Sequence, residues 1–187
     1  MRNGCTGKTE KLLARAAAWR LASLLLEQPR PQWQKEILQL STEVSEPDLS
    51  ACVTEADQAT EELYHQLFGP GGSVSPREVS YCGFEDPGRV MAELQFFYRA
   101  FSFQPQREEP VDHISVEAGF TGYLFLKEAY AQLGGNAETI GITQDARERF
   151  VREHLSRCAQ GMMSRPTDMP PYIKNALVWL VEKGTSL

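Results

Sequence analysis

The chain has 187 residues, 42% of them hydrophobic, and a formal net charge of −6. This is enough apolar material for one domain with a substantial core. No apolar run is long enough to cross a membrane, and charges interrupt the most hydrophobic segment, which also argues against a secretory signal. The 4 cysteines are widely spaced without a CxxC pair, which indicates reduced thiols in the cytoplasm.

The charge is unevenly distributed along the chain. The first 20 residues carry five basic side chains against one acidic one, whereas residues 36–76 carry eight acidic side chains and no Lys or Arg. The acidic segment is expected to repel nucleic acid and to attract a basic peptide. A solvated helix face is the alternative explanation for such a run of charges.

Apolar residues recur at helical spacing from the start of the chain. Thr9 is expected to cap a first helix that ends before Pro29, and a short helix follows at about residues 32–40. Pro47 opens an amphipathic helix whose pattern continues without interruption to Leu67.

A glycine-rich loop must end that helix, because residues 69–72 read Gly-Pro-Gly-Gly. Tyr64, Leu67 and Phe68 are therefore delivered at a helix end beside a turn. We expect them to line a binding groove, and core packing is the alternative role for such residues.

The stretch EEPVDHISVEAGFTGYLFLKEAY, residues 108–130, predicts the central helix of the protein. Pro110 suits a first helical position, and the acids around it suit the positive end of the helix dipole. Apolar residues occupy every side of this helix, so it should be buried all round. Gly119 and Gly122 lie one turn apart, which favours close approach of another backbone.

In the last third of the chain, Gly134 is expected to stop the central helix, and Thr143 is expected to cap the next one. A proline-rich joint at residues 166–171 precedes a final helix. No segment alternates with period two for long enough to predict a strand. The fold class is therefore all-α.

Unusual polar chemistry is concentrated at the start of the central helix. His113 and Glu117 are four residues apart and face the same way, with Asp112 beside them. One explanation is a charge arrangement at a helix N-terminus with a structural histidine. Another is a metal-binding helical protein in which His113 and Glu117 join His154 and Cys158 around zinc or iron.

Several stretches resemble one known family. PVDHISVEAGFTGYL resembles the signature of the TorD/DmsD/NarJ family of cytoplasmic molybdoenzyme chaperones, in which an Asp-His pair and a following Glu open a central helix. ELYHQLFGPGGSVSPREVSY resembles the second signature of that family. QFFYRAFSF and FVREHLSRCAQGM resemble two further segments, so that the likeness covers roughly residues 9–182 in order.

The resemblance implies a single compact helical domain of the TorD-like type, spanning residues 1–187. It also implies a non-enzymatic cytoplasmic chaperone, without metal or cofactor. Its partner would be the catalytic subunit of a molybdopterin oxidoreductase, bound through the twin-arginine signal peptide, through the apo enzyme, or through both until cofactor insertion and Tat export. Neither nucleic acid nor stable membrane insertion is expected. The expected client-binding residues are Tyr64, Leu67, Phe68, Pro76, Glu78, Asp112, His113 and Glu117.

A connector with Pro105 and charged neighbours precedes the central helix, and it is either a hinge or a plain loop. As a hinge, residues 103–109 would join an N-terminal lobe at 9–102 to a C-terminal lobe at 110–187. Exchange of lobes between two copies would then give a domain-swapped homodimer as the alternative to a monomer.

Overall fold

The computed structural model describes residues 3–105 and 109–186, with side chains from Gly7 onward. No strand forms within these ranges, so the prediction of an all-α single domain is confirmed. The helices are Asn3–Leu25 (α1), Trp33–Ser41 (α2), Pro47–Glu55 (α3), Glu61–Phe68 (α4), Pro87–Ala100 (α5), Ile114–Leu133 (α6), Ala137–Phe150 (α7), Ser156–Met163 (α8) and Pro171–Gly184 (α9).

The central helix α6 packs most extensively against α1. A Cβ atom added at Gly122 would lie only 3.1 Å from the carbonyl oxygen of Ala16 and 3.2 Å from the backbone nitrogen of Arg20. At Gly119, the added Cβ would lie 3.1 Å from the hydroxyl oxygen of Ser23. The prediction that another backbone approaches closely is confirmed at Gly122, where the backbone belongs to α1, whereas the atoms nearest to Gly119 belong to side chains of α1.

An aromatic cluster joins α5, α6 and α7. The ring of Phe120 lies 4.7 Å from that of Phe150 and 4.9 Å from that of Tyr98, centroid to centroid. Phe97 lies 5.3 Å from Phe150 in an edge-on arrangement. Such pairs contribute about 0.5–1.5 kcal/mol each beyond the burial of their area. The cluster therefore fixes the rotation of α6 relative to its neighbours.

One turn of π-helix, Val151–Leu155, connects α7 directly to α8. The two helices therefore form one continuous rod. A π turn contains an additional residue and often occurs at functional sites. His154 lies in this turn, with its ring 5.7 Å from Phe97 and 5.4 Å from Phe150.

Two predicted helix caps are wrong. Helix α1 already begins at Asn3, so Thr9 lies inside it and is buried. Helix α7 begins after Asn136, whose side chain accepts a hydrogen bond from the backbone N–H of Thr139 at 3.0 Å. Thr143 lies inside α7 and donates to the carbonyl of Thr139 at 2.7 Å. A threonine hydroxyl can bond the preceding turn of a helix as readily as it can cap a start, which explains the error.

The expected position of Pro110 at the first turn of the central helix is also wrong. Helix α6 begins at Ile114, and His113 is its N-cap residue. In a helix that started earlier, the N–H of Ile114 would bond to the carbonyl of Pro110. That N–H donates instead to the carbonyl of Pro76, at 2.9 Å. A distant segment therefore sets the start of the helix.

The predicted uninterrupted helix from Pro47 to Leu67 is divided into two. Helix α3 ends at Glu55, a 3-10 turn follows at Ala56–Gln58, and α4 begins at Glu61. Thr60 adopts an extended conformation and accepts a hydrogen bond from the N–H of Leu63 at 3.2 Å. This local cap stabilises a new helix start. The periodic pattern concealed the break because both helices contribute to the same core.

The two predicted lobes contact each other directly. Helix α1 belongs to the first lobe and α6 to the second, and the hydroxyl of Ser23 donates to the carbonyl of Ser115 at 2.8 Å. Residues 106–108 of the predicted hinge lie outside the described residues. The boundary between the lobes stays a prediction.

No helix in the described part of the chain combines the length and the hydropathy needed to cross a membrane.

Candidate binding site

The structure brings the two predicted signatures together at several contacts. The hydroxyl of Tyr64, in the middle of α4, lies 3.1 Å from Nε2 of His113. Nδ1 of His113 accepts from the N–H of Ser115 at 3.2 Å, so the ring proton is on Nε2 and is donated to Tyr64. Burial lowers the pKa of His113 to about 4, so the imidazole is neutral near pH 7.

Asp112 is fully buried and is held by an arginine from a distant segment. Nη2 of Arg77 donates to Oδ1 of Asp112 at 2.8 Å, while Nε lies 3.0 Å from Oδ1 and 3.2 Å from Oδ2. Beside this pair, the N–H of Glu78 donates to the carbonyl of Asp112 at 2.9 Å. Together with the bond from Ile114 to Pro76, this contact attaches the 76–78 segment to the start of α6.

Glu78 is also fully buried, and its carboxylate contacts the π turn. Nδ1 of His154 lies 3.2 and 3.1 Å from its two carboxylate oxygens. Arg157 approaches the same carboxylate at 3.6 Å but binds Glu85 more closely, at 2.6 Å. The π turn therefore contains the residue, His154, that contacts the buried carboxylate of Glu78.

Glu117 completes a group of three buried carboxyls, Glu78, Asp112 and Glu117, which we call the carboxyl cluster. Neither carboxyl oxygen of Glu117 has a hydrogen-bond partner in the described part of the chain. Burial raises the pKa of Glu117 well above its usual range, and the negative charges of Glu78 and Asp112 raise it further. The raised pKa favours the protonated form of Glu117, because a third buried negative charge would be unfavourable.

The predicted apolar residues are linked to the start of α6 through the contact of Tyr64 with His113. Phe68 packs edge-on against Tyr64, with ring centroids 5.1 Å apart, and both are buried, as is Pro76. Leu67 contributes to the wall of a cleft of about 810 Å³ between α4 and the segment before α9. We call this the Leu67 cleft.

The Leu67 cleft combines apolar walls with negative charge. Its acidic residues are Glu55, Asp57 and Asp168, and no described Lys or Arg lines it. Its apolar lining is Ala59, Leu63, Leu67, Met169, Pro170, Pro171 and Tyr172. Two of the acids come from the acid-rich stretch of the sequence, so part of that charge faces a concave surface. Such a cleft favours a basic and apolar ligand.

A second cavity, of about 640 Å³, was missed by the sequence analysis. It lies between α1 and α6 and is lined largely by apolar side chains, with Glu27 and Glu109 among its polar ones. Burial raises the pKa of both carboxyls. Gly119 and Gly122 line this cavity, so the pair of small residues on α6 was the signal that could have predicted it.

The alternative of a four-ligand metal site is not supported by the positions of its proposed ligands. Nε2 of His113 contacts Tyr64 and Nδ1 contacts Ser115, while His154 contacts Glu78. The thiol of Cys158 contacts the carbonyl of Pro76. Within residues 3–105 and 109–186, no group of three or more candidate ligands is placed to hold a metal ion.

Comparison with known proteins identifies a family. Residues 28–163, well over half of the chain, match the nitrate reductase delta subunit family. A search among curated proteins found no match. The match covers a family of NarJ/TorD type and does not separate its TorD and DmsD branches. The chain thus belongs to the nitrate reductase delta subunit family, whose members are chaperones for the maturation of molybdoenzymes.

Proposed function

We propose that this protein is a cytoplasmic chaperone for the catalytic subunit of a molybdopterin oxidoreductase. It binds the twin-arginine signal peptide of that subunit, its apo form, or both, until the cofactor has been inserted and before Tat export. The observation that carries this proposal is the family match over residues 28–163. The acidic and apolar lining of the Leu67 cleft and the buried carboxyl cluster support it.

A twin-arginine signal peptide presents two guanidinium groups followed by an apolar stretch that readily forms a helix. Its receptor therefore needs carboxylates next to an apolar surface. The proposed receptor residues include both acidic and apolar side chains, which supports this assignment. They are Tyr64, Leu67, Phe68, Pro76, Glu78, Asp112, His113 and Glu117.

In this proposal, Tyr64, Leu67 and Phe68 contact the apolar part of the peptide, while Asp112 and Glu117 receive the arginines. His113 orients a carboxyl or bonds to the peptide backbone. Both acidic side chains are fully buried in the present conformation. Access to Asp112 requires movement of the Arg77 side chain. Access to Glu117 requires a larger opening near the 76–78 segment, and Glu117 loses its proton when it pairs with an arginine.

The energetics are compatible with micromolar binding. A hydrogen bond that involves a charged group contributes about 1.5–3 kcal/mol, and each 40 Å² of apolar burial contributes about 1 kcal/mol. A micromolar dissociation constant corresponds to about 8 kcal/mol. A few such contacts are sufficient even after the loss of peptide freedom and the cost of opening.

The apolar part of the proposal is tested with Leu67→Ala. We expect this variant to bind a synthetic twin-arginine peptide about tenfold more weakly in calorimetry, because apolar contact area in the Leu67 cleft is lost. Leu38→Ala is the matched control, since Leu38 is 58% exposed and lines none of the cavities described above. Equal affinities of the Leu67 and Leu38 variants would remove the cleft from the binding site.

The acidic part is tested with Asp112→Asn, which keeps the shape of the side chain and removes its charge. We expect the twin-arginine peptide to bind at least about tenfold more weakly, while circular dichroism shows a folded protein. Asp145→Asn is the control because Asp145 is exposed on α7. If the affinity of Asp112→Asn is unchanged, Asp112 does not receive an arginine.

A further inference from the structure

Arg77 places a guanidinium group where the proposed function places an arginine of the client. The contact is a side-on fork, in which Nη2 of Arg77 donates to Oδ1 of Asp112 at 2.8 Å and Nε donates to Oδ2 at 3.2 Å, with Oδ1 also 3.0 Å from Nε. A guanidinium that contacts both oxygens of a carboxylate in this way makes a strong and geometrically specific ion pair. The chain therefore already contains a ligand of the chemical class that it is proposed to bind.

The Arg77 side chain lies on the solvent side of this pair. It is 38% exposed, whereas Asp112 is fully buried, so Arg77 covers the carboxylate that an incoming ligand would need. The backbone on either side is held by hydrogen bonds from the N–H of Glu78 and to the carbonyl of Pro76. Rotation of the arginine side chain breaks neither bond. Asp112 can therefore be uncovered without unfolding the 76–78 segment.

Exchange of one guanidinium for another is inexpensive. When Arg77 leaves, its charged group enters water, and the arriving guanidinium leaves water to take the same hydrogen bonds. The carboxylate of Asp112 therefore has a guanidinium partner both before and after the exchange. The N–H of Val79, 3.4 Å from Oδ2, stays in place throughout.

We infer that Arg77 is an internal competitor that occupies the arginine-binding carboxylate until a client arginine displaces it. This inference rests on the proposed function. It makes Arg77 a specificity residue, because a lysine or an apolar side chain cannot reproduce the fork that replaces the Arg77 contact. We call the state in which Arg77 covers Asp112 the closed state and the state in which it does not the open state. A ligand without arginine does not replace the contact that is lost when Arg77 leaves, so it binds more weakly.

The expected size of the effect follows from the population of the open state. If Arg77 covers Asp112 about 90% of the time, the apparent dissociation constant of a client is about tenfold higher than that of the uncovered site. Removal of the Arg77 side chain should therefore lower the apparent dissociation constant about tenfold. A structural ion pair without a competing role would give no gain in affinity.

The test measures the affinities of a twin-arginine peptide and its twin-lysine analogue by calorimetry. We expect Arg77→Gln to bind the twin-arginine peptide about tenfold more tightly than the unsubstituted protein. Arg77→Lys keeps the net charge and a partner for Asp112 but lacks the fork, so it should show a smaller gain in affinity. The twin-lysine peptide, which cannot make the fork, should bind each of these proteins more weakly than the twin-arginine peptide.

Arg89→Gln is the matched control for the loss of one positive charge. Arg89 lies on α5, is 70% exposed and pairs with Glu93 one turn away. We expect its affinity for both peptides to change less than about twofold, because exposed charges are screened at physiological salt. An equal gain in the Arg77 and Arg89 variants would assign the effect to net charge and overturn the inference.

A second measurement detects the exchange without any peptide. Arg77→Ala leaves a space beside Asp112 that methylguanidinium can fill, so millimolar methylguanidinium should raise the thermal midpoint of this variant but not that of Arg89→Ala. If Arg77→Ala does not fold, the comparison with Arg77→Lys still decides the question.

Three outcomes separate the two proposals. If the unsubstituted protein binds the twin-arginine peptide and the Arg77 variants bind it no more tightly, Arg77 is not a competitor while the proposed function stands. If they bind it more weakly, Arg77 supports the site instead of blocking it. If no variant binds the peptide, the signal-peptide function and the inference fall together.

Discussion

At the scale of single residues, the most unusual group is the carboxyl of Glu117, which is buried without a hydrogen-bond partner in the described part of the chain. Its raised pKa means that the folded protein keeps this proton at pH values where the unfolded chain has lost it. Its contribution to stability is complete below the usual carboxyl pKa of about 4.5 and is lost as the pH rises through the folded pKa.

The isosteric substitution Glu117→Gln removes this titration. We expect the free energy of unfolding of the unsubstituted protein to fall relative to that of Glu117→Gln as the pH rises between about 5 and 8. Urea unfolding at several pH values measures the difference. Parallel curves for the two proteins would show that Glu117 has a similar pKa in the folded and unfolded states.

His113 changes the free energy of unfolding in the opposite direction, and at lower pH. Burial lowers its pKa from 6.5 to about 4, so stability decreases as the pH falls through this interval and the folded protein resists protonation. Glu117→Gln should leave this acid limb unchanged. The two groups can therefore be distinguished in the same set of unfolding curves.

At the scale of elements, the contact between α1 and α6 depends on the absence of a side chain at Gly122. A valine there would press against Ala16 and Trp19 of α1, whose nearest atoms lie 3.1 Å from an added Cβ. We expect Gly122→Val to lower the free energy of unfolding by about 1–3 kcal/mol, as overpacked cores do.

Gly141→Ala is the matched control, since Gly141 lies inside α7 and has nothing within 4 Å of an added Cβ. Helix propensity alone should make this variant about 1 kcal/mol more stable. Chemical denaturation of both variants measures the contrast. If the Gly122 variant is stabilised as well, α1 and α6 are not in close backbone contact.

At the scale of the whole molecule, the interface between the predicted lobes is formed by α1 and α6. Because this interface joins one predicted lobe to the other, we expect both lobes to unfold in a single thermal transition, with equal calorimetric and van't Hoff enthalpies. Two separate transitions would indicate lobes that fold on their own. Such independence would favour the exchanged dimer over the monomer.

Much of the fold was predictable because it depends on local patterns. Apolar spacing predicted helices throughout, and Gly119 and Gly122 predicted a close helix contact. The helix starts were less predictable. Thr9 and Thr143 have the chemistry of caps, but their hydroxyls do not begin helices here, and the start of α6 depends on a bond to Pro76, which is 38 positions earlier in the chain.

In the candidate site, too, some features follow from the sequence and others depend on distant contacts. The sequence alone determined an all-α chain, its family signatures, and the proposed grouping of Tyr64 with Asp112 and His113. Only the tertiary structure decided the partners of the acids: Arg77 for Asp112, His154 for Glu78, and none described for Glu117. The reason is physical, since periodicity reports which face of one helix is buried, whereas an ion pair between distant positions forms only when packing brings two elements together.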